Sequence, residues 1–289
     1  MADLPFVDTH IHFYDLENPD LRYDLLQPGV KHELVEDIGA IKAQRYWADD
    51  WLAETRFANV VKSIHVQFAG PMSDPVEETR WLQAFADRLG HPHGIVAEVH
   101  LAEADAEAVI ERHMQYPNVR GVRDYRDDDY LRDPDWRRGF AHLERHGLVS
   151  CVHAKPETYA DVRRLATDHE GMRICLDHAG FPRQRDDEYF EFWRKELLSL
   201  AEAPNVIVKV SALDMLDPHW TTDSLRRWVM TCIEAFGPER TIFASNWPFG
   251  RLSASYPDLI NAWAELIRDF SHDEQVAMFS SNAERYFRI

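Results

Sequence analysis

Phe6-Val7-Asp8-Thr9-His10-Ile11-His12 is the first of eight short β-rich runs in a chain of 289 residues. The others fall at 60–67, 94–101, 119–125, 148–155, 173–180, 206–213 and 241–248. Their starts lie 54, 34, 25, 29, 25, 33 and 35 residues apart, room for a helix and two loops each time. Strands that alternate with helices pair in parallel, because parallel neighbours need a crossover. Eight such units close a (β/α)8 TIM barrel, an α/β fold. Helix punctuation agrees. Asp74-Pro75 opens a segment that stops at Gly90, and Asp133-Pro134 opens another in the same way. A cap residue, a first-turn proline and a terminal glycine are the expected marks. Segments 186–203, 221–236, 256–270 and 273–286 carry apolar stripes at helical period. The rival architecture, a doubly wound open sheet, calls for a glycine-rich phosphate turn after the first strand, and the sequence has none there.

No linker, repeat or low-complexity tract interrupts the chain, so residues 1–289 read as one domain. The first interval is the exception. Segment 13–59 is a 47-residue connection containing Phe13, Tyr14, Tyr23, Tyr46, Trp47, Trp51 and Phe57. It follows a strand, which puts it on the catalytic face of a barrel. Long loops in compact domains are often lids or binding loops. The plainer reading is an extra element whose aromatics pack on the barrel rim, and the two are compatible.

With 32 basic and 50 acidic residues, the net charge is −18. Such a chain repels phosphate backbones and anionic lipid, which argues against nucleic-acid or membrane-surface roles and leaves room for a local basic pocket around a small anion. Cys151, Cys175 and Cys232 have no metal-knuckle spacing; two of them sit in apolar strand-like runs and read as buried, inert thiols, and a reducing cytoplasm fits. Met1-Ala2-Asp3-Leu4-Pro5 shows no basic segment followed by an apolar stretch, and no apolar run approaches the roughly 18 residues of a membrane span.

Histidine is the outlier, with 15 residues. His10 and His12 are two apart on one strand and so point the same way. His153 and His178 sit near the ends of the fifth and sixth runs. C-terminal strand ends face the active site of a barrel, so the four imidazoles are expected to share one cavity. There they can hold a divalent cation or polarise a carbonyl. His65 and Gln67 share a face, as do Glu98 and His100, and Lys155 follows His153 by two. His65, Gln67 and Lys155 are candidate substrate contacts, with core hydrogen bonds or rim ion pairs as the alternatives. His91, His93, His113, His142, His146, His169, His219 and His272 read as surface residues. The run Asp127-Asp128-Asp129 reads as a solvated loop.

Five motifs in chain order resemble the amidohydrolase superfamily: Asp8-Thr9-His10-Ile11-His12, Gly121-Val122-Arg123, Leu176-Asp177-His178-Ala179-Gly180, Phe243-Ala244-Ser245-Asn246-Trp247-Pro248 and Ser281-Asn282-Ala283-Glu284-Arg285-Tyr286. The resemblance is nearest to the branch of bacterial lactonases that includes 2-pyrone-4,6-dicarboxylate lactonase and sugar-acid lactonases. It implies a (β/α)8 barrel that hydrolyses a lactone or a related small carboxylated ester. It matches His10 and His12 to the first-strand pair, His178 to the sixth-strand histidine and His153 to a fifth-strand ligand position. Arg123 matches a fourth-strand arginine directed at a substrate carboxylate, and Gln67 a glutamine common in the branch.

One position departs from the pattern. Asn246 stands where the superfamily generally has an aspartate that accepts a proton from the attacking water, and an amide has no useful basicity. His153, His178, Asp124, Asp177 and Glu98 are candidate replacements for that base. Imidazole ligands suit a divalent metal, Zn²⁺ foremost, and metal-free chemistry remains open. Trp247 reads as packing under the site, with a substrate contact as the alternative. The expected catalytic set is His10, His12, His178 and Asn246. The rival functions are a metal-dependent aromatic-acid decarboxylase and a non-catalytic ligand-binding barrel. The expected partner is a small anionic substrate, and exposed aromatics of 13–59 would also suit a homodimer.

Overall fold

The structure is a computed structural model that describes residues 4–32, 35, 37–70, 74–124, 126, 129–217 and 219–289. The chain runs β1 (Phe6–Ile11), β2 (Tyr14–Asp15), β3 (Arg45–Tyr46), α1 (Ala48–Thr55), β4 (Val60–Val66), α2 (Val76–Leu89), β5 (Gly94–Glu98), α3 (Ala106–His113), β6 (Val119–Arg123) and α4 (Pro134–His146). It continues through β7 (Val149–Val152), α5 (Tyr159–Asp168), β8 (Arg173–Leu176), α6 (Asp187–Ala201), β9 (Val206–Val210), α7 (Thr222–Phe236), β10 (Thr241–Phe243), α8 (Tyr256–Leu266), α9 (His272–Val276) and α10 (Asn282–Phe287).

Eight strands lie in the order β1-β4-β5-β6-β7-β8-β9-β10, each paired in parallel with the next. The ring closes between β10 and β1. Thr9 Oγ1 donates to the Phe243 carbonyl at 2.9 Å, His12 N donates to Trp247 O at 2.8 Å, and Ile11 bridges Trp247. This is the (β/α)8 barrel that the spacing predicts. Every strand ends one or more residues before its β-rich run does. The residues past each end leave the ladder to build the mouth, and His12, Gln67, His153, His178 and Asn246 all belong to them.

Alternation sorts the strand side chains into two cores. Val7, Ile64, Val66, Val96, Cys151 and Cys175 are among those that fill the barrel interior, with Ala283 and Phe287 of α10 plugging one end. A larger cluster lies between strands and helices. The three thiols are buried and free. Caps form as the sequence indicates. The Asp133 side chain accepts from Asp135 N beside Pro134, and Gly90 ends α2 in the left-handed region at φ 76°.

Two expectations change. Segment 273–286 is not one helix: a π-helical turn at Ala277–Ser281 separates α9 from α10. The wider turn seats Phe279 between Phe6 and Phe243, at 5.2 and 5.4 Å between ring centroids. His113 is not a surface residue. It is fully buried, with Nε2 donating to the Glu98 carbonyl at 3.0 Å and Nδ1 2.9 Å from Thr79 Oγ1.

In segment 13–59, β2 and β3 pair antiparallel, and Tyr46 of β3 donates to Glu54 of α1 at 2.7 Å. Phe13, Tyr14, Tyr23, Tyr46 and Trp51 are buried there, whereas Phe57 is 61% exposed. The aromatics therefore pack on the rim. Asp127 and Asp128 lie outside the described residues.

Candidate active site

His10 is the last residue but one of β1 and lies deep in the mouth. Its ring centroid is 4.9 Å from His12 and 4.5 Å from His178. All three rings are buried, and burial holds each well below the ordinary histidine value, so they are neutral at neutral pH. His12 Nδ1 lies 2.9 Å from the Val66 carbonyl, which can only accept. Nδ1 therefore carries the proton and Nε2 keeps a lone pair. His178 Nδ1 shares a hydrogen bond with Ser211 Oγ at 2.9 Å. His10 Nε2 is buried with no partner among the described residues. His10, His178 and Asp177 can offer ligand atoms that all lie within 4.8 Å of one another.

The backbone that presents His178 is unusual. After β8 the chain turns through left-handed residues at His178, Ala179, Gly180 and Phe181, with φ of 56°, 52°, 67° and 57°. Trp193 Nε1 donates to the Ala179 carbonyl at 3.0 Å, and Tyr159 Oη donates to Gly180 O at 2.7 Å. The turn is thus fixed from α5 and α6. His153 stands beside it, its ring 4.7 Å from Phe181, and burial followed by the Arg123 charge brings it down to about 4.

Beneath His10 lies a pair that sequence reasoning missed. Lys209 is completely buried, and its Nζ is 2.8 Å from Asp177 Oδ1 and 3.5 Å from His10 Nδ1. A buried ammonium needs such a partner. The one signal is a lysine inside the apolar run Val206-Ile207-Val208-Lys209-Val210.

Arg123 faces this cluster from β6. Its Nε and Nη2 both donate to Gln67 Oε1 at 3.2 Å, and Nη2 also reaches the Gln67 carbonyl. Its positive charge disfavours protonation of His10, His12, His65, His153 and His178 alike, which sets it at the centre of the group. Gln67 is thereby the support of Arg123. His65 packs differently: Ile64 and Val66 face the barrel interior, and His65 lies against the Phe13 ring at 5.6 Å with Nε2 toward the Phe13 carbonyl. Lys155 is half-buried near His153, whose protonation it opposes. Trp247 is in the wall, 1% exposed, its Nε1 donating to Glu54 at 2.9 Å. Asn246 is left-handed, at φ 54°, and its Nδ2 points at Met215 Sδ at 2.9 Å.

Asp8 is structural. Its carboxylate accepts from Ser245 N, Ser245 Oγ and Tyr256 Oη, tying β1 to the segment that carries Asn246.

Residues 7–289 match the family described as Amidohydrolase. The chain is 36% identical to the uncharacterized protein y4mH of Sinorhizobium fredii, over 100% of both chains. It is 27% identical to an L-fucono-1,5-lactonase of Burkholderia ambifaria, over 98% of this chain and 95% of that one. An amidohydrolase of Burkholderia multivorans solved with bound zinc superposes with a TM-score of 0.84 at 25% identity, covering 98% of this chain and 99% of that chain. Barrel, mouth and full-length match agree: the chain belongs to the amidohydrolase family and is a hydrolase.

Proposed function

We propose that this hydrolase opens a small anionic lactone, of the sugar-acid or carboxylated kind, at the mouth of its barrel. The observation that carries the reading is the convergence of His10, His12 and His178 opposite Arg123. Likeness to L-fucono-1,5-lactonase supports the opening of a lactone ring, and Arg123 supports an anionic group on it. The guanidinium of Arg123, steadied by Gln67, orients the anionic group, since it offers paired donors to a carboxylate. His12 and His178 present nitrogens whose ring partners are already bonded, so their orientation is set before substrate arrives. Asn246 holds the carbonyl or a water by hydrogen bonds without taking a proton.

The donors also fit a divalent cation. His10 Nε2 has no partner among the described residues, His12 Nε2 keeps its lone pair, and the rings are uncharged. His10 and His178, whose ligand atoms lie with that of Asp177 within 4.8 Å of one another, would hold the ion, with His12 and His153 beside them, and imidazole suits Zn²⁺. Bound there, a divalent ion supplies Lewis acidity toward a carbonyl oxygen. The buried free thiols suit a reducing cytoplasm.

The test is a panel of sugar-acid and carboxylated lactones followed by proton release, with Zn²⁺, with Mn²⁺ and after chelation. Ring opening of at least one member, lost in His12→Phe, is the expected result. Carbon dioxide released from aromatic acids would instead favour a decarboxylase. Tight binding of lactones without turnover would leave a non-catalytic barrel.

A further inference from the structure

Hydrolysis needs a group that takes a proton from water, and Asn246 cannot. Most carboxylates near the mouth are already committed. Asp124 accepts from Leu101 N, Trp136 Nε1 and Arg126 Nε. Asp177 is paired with Lys209. Asp214 is sealed at 0% exposure and accepts from Ser253 Oγ. Glu78 caps the backbone N–H groups of Phe68 and Ala69.

Glu98 differs. It is 7% exposed, against 1% for Asp177 and 0% for Asp214, and its Oε2, like Asp177 Oδ2 and Asp214 Oδ1, has no hydrogen-bond partner among the described residues. Val96, two residues earlier on β5, faces the barrel interior, so Glu98 turns inward as well. It is in register with Arg123 on β6. His100 stands between it and the rim. His100 Nε2 is 3.8 Å from Glu98 Oε1, Nδ1 is 3.7 Å from Asp124 Oδ1, and the side chain is 39% exposed. A buried carboxyl with an open oxygen is thus linked by an imidazole to solvent.

From this geometry we infer that Glu98 accepts the proton of the attacking water and His100 passes protons between the pocket and solvent. The inference rests on the hydrolase reading above and deepens it. As the water oxygen bonds to the carbonyl carbon, one water proton goes to Glu98. Glu98 returns that proton to the ring oxygen as the carbon–oxygen bond breaks. The new carboxylic acid then loses the second proton, which leaves through His100. One lactone and one water give one hydroxy-carboxylate and one proton.

The electrostatics suit the task. Burial pushes Glu98 up to about 8, with Glu78 and Asp124 adding to the rise and His100 and Arg123 opposing it. Asp124 and Glu98 raise His100, against burial and Arg126. His113 meets Glu98 only at its backbone carbonyl. A proton acceptor works unprotonated, so kcat/KM should rise with pH as Glu98 ionises and level off above that.

Wild type, Glu98→Gln, Glu98→Asp and His100→Gln are compared on a lactone the wild type opens, between about pH 5 and 9. Thermal melting and product affinity report on folding and binding. Glu98→Gln should lose kcat/KM by about 100-fold or more and its acid limb with it. Glu98→Asp should keep the limb at a lower rate. His100→Gln should slow turnover about tenfold, with added imidazole restoring it. A Glu98→Gln enzyme within about threefold of wild type, or an unchanged acid limb, overturns the inference while leaving the hydrolase reading intact. Infrared titration of the Glu98 carboxyl, by difference from Glu98→Gln, needs no substrate. If wild type opens no lactone, a Glu98 titration that moves in His100→Gln keeps the relay and discards the lactone. An ordinary, His100-independent titration discards the relay.

Discussion

Arg123 reaches Gln67 with two nitrogens of one planar group, Nε and Nη2. Lysine offers a single point charge on a flexible stem and cannot copy that brace. Arg123→Lys should therefore raise KM for an anionic lactone about tenfold, equivalent to about 1.4 kcal/mol, with kcat within about threefold. Initial-rate kinetics on paired charged and neutral lactones check this, and an equal rise for both would remove the anchoring role. Residues of this kind were readable in advance where a short-range rule applied. His10 and His12 share a direction because strands have period two, and their rings are 4.9 Å apart. Arg123 was readable through the family resemblance. Lys209 was not, because a lone lysine in an apolar strand declares itself only when both faces are known to be covered. Its counter-ion Asp177 belongs to another strand end and reveals itself only once β8 and β9 pair. His113 was misread for the same reason: helical position says nothing of what α2 and β5 press against it.

At the scale of elements, the turn after β8 is the part with least tolerance. A Cβ on Gly180 would stand 1.6 Å from Tyr159 Oη, and its φ of 67° already disfavours any side chain. Gly180→Ala must therefore displace either Tyr159 or the turn that carries His178. The expected loss is about 2–4 kcal/mol in urea unfolding, seen as a lower midpoint at unchanged slope. Adding Tyr159→Phe removes the clashing hydroxyl, so the double variant should lose less than the two single losses added. Strict additivity would mean that the contact is relieved some other way. The strands themselves were legible because β-branched and apolar residues recur at intervals that fit a crossover. Their ends were not. Thr241–Phe243 is all that remains of the run 241–248, since Asp8 draws Ser245 toward β1 and Asn246 goes left-handed beside Met215. The π-turn in 273–286 was equally hidden, because the apolar stripe there has helical period and the extra residue answers to Phe6 and Phe243 across the barrel end.

Across the whole molecule, a chain of net charge −18 encloses a set of uncharged histidines. Burial lowers His10, His12, His65, His113, His153 and His178, with His65 at about 3 and His113 and His153 at about 4. Their folded values lie below the ordinary 6.5, so the unfolded chain takes up protons first as pH falls. Each contributes no penalty above about pH 6.5 and up to about 1.4 kcal/mol per pH unit below it, until its folded value is reached. Buried acids pull the other way. Glu78, at about 7, Glu98, at about 8, and Asp214, at about 6, favour the folded chain as pH falls through the same window, and Asp8 is raised too. The histidines outnumber them, so stability should fall between about pH 6.5 and 4.5. His113 isolates the effect, because it packs between α2, α3 and β5 among Thr79 and the Glu98 carbonyl. His113→Gln keeps a donor for that carbonyl and removes one titration. Its stability–pH slope in this window should be flatter than that of wild type by about 1.4 kcal/mol per unit, measured by urea unfolding with and without chelator. Parallel slopes would mean that His113 already binds its proton in the folded protein, and the neutral interior would then have to be rebuilt from that residue outward.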